Sequence, residues 1–85
     1  MMDSAMISKI QKAKQYAEER DRMQFESFKV LFRGNHDTYT VTYEQGRWHC
    51  TCHFFEQRGV CSHTMALERV LEGMVEPAMI SEAVV

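Results

Sequence analysis

Three cysteines and a histidine are spaced as Cys50-x-Cys52, eight intervening residues, then Cys61-x-His63, all within fourteen positions. Zinc takes four thiolate or imidazole ligands tetrahedrally, and Cys3His is one of its structural sets, so composition and count point to a zinc site. These are all the cysteines the chain has. An odd number cannot pair completely within one molecule, and Met1 to Lys9 has no apolar leader run, so the chain reads as cytoplasmic (or nuclear), not secreted, with reduced thiols.

The spacing carries geometry. Residues i and i+2 of a strand lie about 6.6 Å apart at Cα, whereas two sulfurs on one zinc sit roughly 3.8 Å apart. A strand carrying Cys50 and Cys52 is therefore expected to bend or end there. The second pair opens a helix, whose partial positive end favours the Cys61 thiolate. Four protein ligands leave no coordination position for water, so a structural metal is expected and not a hydrolytic one. His36, His49 and His53 are rival ligands to His63. His49 and His53 alternate with the cysteines and should face the other way, and His36 sits in a turn.

A chain of 85 residues makes one small domain, and below about 100 residues the core is small. Apolar burial at about 25 cal/mol/Å² roughly cancels about 1.5 kcal/mol of ordering entropy per residue in such a chain. A metal staple would supply what that balance lacks.

The fold class reads as α+β. Ser4 to Gln24 has neither Gly nor Pro and is rich in helix formers, which predicts a helix capped by Asp3 or Ser4. Its apolar stripe, Met6, Ile10, Ala13 and Ala17, is narrow, as expected of a solvated helix resting one edge on the domain; a basic helix offered to a partner is the other reading. From Phe25 the period becomes two. Phe28, Val30 and Phe32 share a face, as do Tyr39, Val41 and Tyr43, with Thr38, Thr40 and Thr42 opposite. Gln45-Gly46 turns into a third strand, Arg47 to Cys52, completing an antiparallel meander. The aromatic face, Phe28, Phe32, Tyr39, Tyr43 and Trp48, reads as core and not as a base-stacking platform. His53 to Val60 reads as irregular, with Gly59 as its turn residue. A second helix is expected after Ser62 as N-cap, with Ala66, Leu67, Val70, Leu71 and Met74 as its apolar stripe and Gly73 permitting its stop. This divides the chain into an N-terminal helix (1–24), a zinc-binding sheet plus helix (25–74) and a tail (75–85) that is either packed or frayed.

The ligand pattern, with strands before it, Trp48 just ahead of the first cysteine and an apolar helix after the last ligand, resembles the SWIM-type zinc fingers over about residues 28–72. Cys50, Cys52, Cys61 and His63 match that family's Cys-x-Cys, gap, Cys-x-His pattern position by position. SWIM domains occur in transposases, chromatin-remodelling ATPases, ubiquitin-ligase-like proteins and recombination accessory factors. The resemblance implies a non-catalytic module that binds protein or DNA.

Charge weighs between those partners. Ten basic and twelve acidic residues give a formal charge of −2, which disfavours affinity built on blanketing phosphates. Residues 1–33 nevertheless carry a net +2 and residues 34–85 a net −4. DNA contact would fall to Lys9, Lys12, Lys14, Arg20, Arg22, Lys29, Arg33, Arg47 and Arg58. A protein partner ranks slightly ahead of weak DNA binding, and the N-terminal helix is a place where two copies would pair. The longest uncharged run is too short to span a membrane. The alternative to an adaptor is a thiol redox switch that releases zinc on oxidation. No catalytic triad and no Gly-rich phosphate loop suggests an enzyme.

Overall fold

The structure is a computed structural model and describes residues 3–78. The elements run in the order helix α1 (Ser4–Glu18), a single 3-10 turn (Arg20–Arg22), strands β1 (Ser27–Arg33), β2 (Thr38–Glu44) and β3 (Arg47–Cys50), then helices α2 (His53–Arg58) and α3 (Ser62–Val70). This is the α+β architecture expected, a three-stranded antiparallel meander between helices.

The sheet follows from the period-two pattern. In register, Val41 lies opposite Val30 on one side and Cys50 on the other, and Tyr43 lies between Phe28 and Trp48. Alternation sends these residues to one face, leaving Lys29, Leu31 and Arg33 with Thr38, Thr40 and Thr42 on the other. The β2–β3 turn requires positive φ at two residues, and Gln45 (46°) and Gly46 (90°) provide it. A Cβ at position 46 would come within 2.5 Å of a Glu76 carboxylate oxygen, the movable end of an exposed side chain, so the positive φ is what calls for glycine there.

Two differences concern α1. The sequence pattern runs helical to Gln24, but the helix stops at Glu18. No Gly or Pro stops it. Beyond it the Arg20 guanidinium donates to the Val70 carbonyl at the end of α3, Arg22 pairs with Glu19, and Arg22 lies over the Tyr16 ring at 5.0 Å. One long-range contact, Arg20 to Val70, and two local ones from Arg22 thus accompany the turn where propensity would have continued the helix. Asp3 is the N-cap, accepting from Met6 N–H at 2.9 Å. The helix was also expected to rest its apolar stripe on the domain. It buries no residue at all: Met6, Ile7, Ile10 and Tyr16 are all exposed.

The other differences lie beyond β3. His53 to Arg58, read as irregular, is a short helix closed by Gly59 in the left-handed region (φ 78°), whose N–H donates to the Phe55 carbonyl. Helix α3 is capped by Cys61 and not by Ser62. Val70, placed in the apolar stripe, is exposed, whereas Met74 is buried. The start of the tail is packed: Glu76 N–H donates to the Tyr43 hydroxyl at 3.0 Å, and Trp48 Nε1–H to the Glu76 carbonyl at 2.9 Å. The remainder of the tail, 79–85, lies outside the described residues.

Among the described residues the buried apolar side chains are Val41, Tyr43, Cys50, Cys52, Cys61 and Met74. Three of those six are the cysteines. The hydrophobic core and the candidate metal site are therefore the same place, with Phe32, Tyr39, Trp48, Phe55 and Leu67 packed around it.

Candidate metal centre

Each ligand is set by the end of an element. Cys50 is the last residue of β3, on the sheet face that carries Val41. The strand ends there, as the sulfur spacing requires, and the chain turns so that Cys52 becomes the N-cap of α2. Cys61 is the N-cap of α3, and His63 lies in its first turn. Two of the three sulfurs therefore sit where backbone N–H groups are otherwise unpaired. Phe55 N–H donates to Cys52 Sγ at 3.4 Å, and Thr64 N–H to Cys61 Sγ at 3.5 Å. At Cys61 such a donor, together with the helix dipole, favours thiolate over thiol.

Thr64 completes the α3 cap and is fully buried. Its hydroxyl accepts from Cys61 N–H at 3.2 Å and donates to the Cys61 carbonyl at 3.1 Å, with Cys61 Sγ 3.8 Å from the hydroxyl oxygen. The sequence reading did not single out Thr64. The capping-box pattern could have found it, had a cysteine been counted as a possible N-cap.

The four ligand atoms lie within 4.8 Å of one another. His63 directs Nδ1 inward, 3.6 Å from Cys50 Sγ and 3.7 Å from Cys61 Sγ. Bond lengths of about 2.3 Å for Zn–S and about 2.0–2.1 Å for Zn–N, with tetrahedral angles, put nitrogen and sulfur about 3.6 Å apart. The donor set thus fits zinc in identity, number and spacing. The His63 ring is held between Tyr39 (centroids 4.5 Å apart) and Phe32 (4.9 Å). Close approach at Gly34 supports that placement, since a Cβ there would lie 3.0 Å from the Tyr39 ring and 3.5 Å from His63 Nε2.

Electrostatics separate the thiols in the metal-free chain. Burial pushes Cys50 up to about 12; hydrogen bonds with the Cys52 and Cys61 thiols and the charge of Cys61 add to this, against a Cys52 backbone donor that lowers it. Burial also raises Cys61, but Thr64 N–H, the Thr64 hydroxyl and the neighbouring thiols outweigh it, so Cys61 falls below its ordinary value. Cys61 is thus the thiol best prepared as a metal ligand, and Cys50 the one most in need of a cation.

The rival histidines are elsewhere. His49 lies exposed on the outer sheet face, edge-on to Phe55 with ring centroids 5.4 Å apart. His53 is exposed beside Glu56 and Gln57, and His36 is exposed in the β1–β2 connection. None joins the ligand cluster. The basic residues named for DNA contact are all exposed but scattered: Lys9, Lys12 and Lys14 on α1, Arg20 and Arg22 in the 3-10 turn, Lys29 and Arg33 on β1, Arg47 on β3 and Arg58 at the end of α2.

This geometry defines a zinc-binding module whose metal knots a strand end to two helix starts. Residues 39–72 match the family model of the SWIM zinc finger, and the Cys50, Cys52, Cys61 and His63 cluster fits that family's Cys-x-Cys, Cys-x-His pattern. Strand β1 lies outside the matched segment but pairs with β2 along its whole length. The chain has no significant match among curated proteins or among solved structures. Among the described residues, no helix is long and apolar enough to cross a membrane.

Proposed function

We propose that the chain is a zinc-stapled adaptor that binds protein first and DNA weakly, within a nucleic-acid-processing complex. Residues 25–74 form the stapled module, residues 1–24 a projecting arm and residues 75–85 a tail. The observation that carries this reading is α1: fifteen residues, none buried, presenting Met6, Ile7, Ile10 and Tyr16 beside Lys9, Lys12 and Lys14. An apolar stripe left in water is a contact surface in search of a cover. A SWIM zinc finger is in general a non-catalytic binding module, and bound zinc would supply rigidity here. The module's own part is to hold Arg20, and with it the root of the arm, against the end of α3.

Charge supports the ranking of partners. The formal −2 becomes about −3 when three thiolates and one Zn2+ are added. Phosphate contact therefore rests on a few side chains, with Lys12 and Arg22 in the densest positive region. If about three to five phosphates are contacted, log affinity for duplex DNA should fall with log salt at a slope of about −3 to −5. Titration of labelled duplex and single-stranded DNA at two salt concentrations measures this. Lys12→Glu with Arg22→Glu should lower both affinity and slope. Tight, salt-insensitive DNA binding would contradict the proposal.

A further inference from the structure

The sheet order β1-β2-β3 leaves the outer edge of β1 open over seven residues. At the ends of the β1–β2 ladder, Gln45 N–H donates to the Glu26 carbonyl and Gly34 N–H to the Asp37 carbonyl. Hydrogen-bonded pairs alternate along an antiparallel ladder. With the register Phe28↔Tyr43, Val30↔Val41 and Phe32↔Tyr39, the even-numbered residues of β1 are the ones bonded to β2. The N–H and C=O groups of Ser27, Lys29, Leu31 and Arg33 point away from it, and among the described residues they have no other backbone partner. Natural sheets blunt such edges with lysine, proline, bulges or inward-facing charges. β1 carries Lys29 and Arg33 on its solvent face but has no proline, bulge or inward-facing charge, and Leu31 is 73% exposed between them.

We propose that β1 pairs antiparallel with β1 of a second copy of this chain, about a two-fold axis at Val30. Edge pairing must set outward-pointing residues opposite one another, so the register moves only in steps of two. A step in one direction sets Lys29 opposite Lys29, and a step in the other sets Lys29 opposite Arg33; like charges directly opposite are destabilising. The central register avoids both. It sets Lys29 opposite Leu31 and Ser27 opposite Arg33 of the second copy. On the apolar face it sets Phe28 opposite Phe32 and Val30 opposite Val30, so the row Trp48, Tyr43, Phe28 continues into Phe32 and Tyr39 of the other copy. On the solvent face, Arg33 of the second copy stands beside Ser27, whose neighbour on β2 is Glu44: opposite charges separated by one small side chain. The product is a six-stranded sheet. A single strand edge buries less than the roughly 1,600 Å² of a standard interface, so association is weak and depends on concentration.

Sedimentation velocity of the zinc-loaded chain, from roughly micromolar to roughly millimolar concentration, should show a monomer passing to a dimer. Leu31→Lys places an ammonium opposite Lys29 twice per dimer and should weaken association roughly two- to thirtyfold. Leu31→Glu places a carboxylate there and should tighten it. Position 31 faces solvent, so both variants should keep zinc and the aromatic circular dichroism of the parent. A monomer at every concentration overturns the proposal, as do shifts in the same direction for the two variants. Loss of the dimer with Ile10→Glu in α1, without response to Leu31→Lys, would assign self-association to the helix and also overturn it.

Discussion

Metal removal should unfold the sheet and helices α2 and α3 in one step, whether by chelation or by Cys61→Ser. Three of the six buried apolar side chains among the described residues are the ligand cysteines, so the buried side chains that do not depend on metal are Val41, Tyr43 and Met74, with Phe32, Tyr39, Trp48, Phe55 and Leu67 only partly buried around them. Zinc binding contributes about 10–16 kcal/mol in zinc-finger peptides at neutral pH, as large as the whole stability of about 5–15 kcal/mol typical of a domain. Cys61→Ser has an additional effect, because it removes the sulfur that caps α3 and receives Thr64 N–H. Near-UV circular dichroism should collapse as Trp48, Tyr43 and Phe28 lose their mutual packing, in which Trp48 lies 4.8 Å from Tyr43 and 5.7 Å from Phe28 by ring centroid. Some far-UV helical signal should survive from α1, which contributes nothing to the core, although a free helix of that length is marginal in water. Unchanged spectra in metal-free protein would contradict the account.

Zinc affinity should climb steeply with pH. In the folded metal-free chain Cys50 sits at about 12, and if the fold is lost it returns to its ordinary 9.0. In both states it holds its proton at neutral pH, while zinc takes only the thiolate. Uptake therefore expels at least this proton, and log affinity should rise by at least about one for each pH unit between about pH 6 and about pH 8. The sign is fixed: acid releases the metal. Competition titrations against a chromogenic chelator at three pH values, corrected for the chelator's own protonation, would measure the slope. A flat profile would mean that the Cys50 thiolate is not a ligand.

The sheet and ligand set are legible in the sequence because both depend on local spacing. Alternation sorts Phe28, Val30 and Phe32 from Lys29, Leu31 and Arg33, and the sulfur separation alone shows that β3 must stop near Cys50. The misread features depend on chemistry or contacts that periodicity does not encode. Ser62 looks like the better cap by propensity, yet the constraint that gathers the ligands puts Cys61 in that role and buries Thr64 beside it. The α2 helix has only six residues and starts from a cysteine cap, too short for a periodic signal. The end of α1 is accompanied by Arg20 reaching Val70, fifty residues away. Trp48 reads as a core residue in the sequence, but its hydrogen bond to the Glu76 carbonyl, which ties down the start of the tail, appears only in three dimensions.

The central claim is that one zinc ion, held by Cys50, Cys52, Cys61 and His63, is the core of this domain. Native mass spectrometry of the purified, folded chain tests it most directly, with elemental analysis to identify the metal. The account predicts one zinc per chain, lost on chelation and absent from folded Cys50→Ser or His63→Ala protein if any can be recovered. A folded chain carrying clearly less than one equivalent of any metal would contradict it.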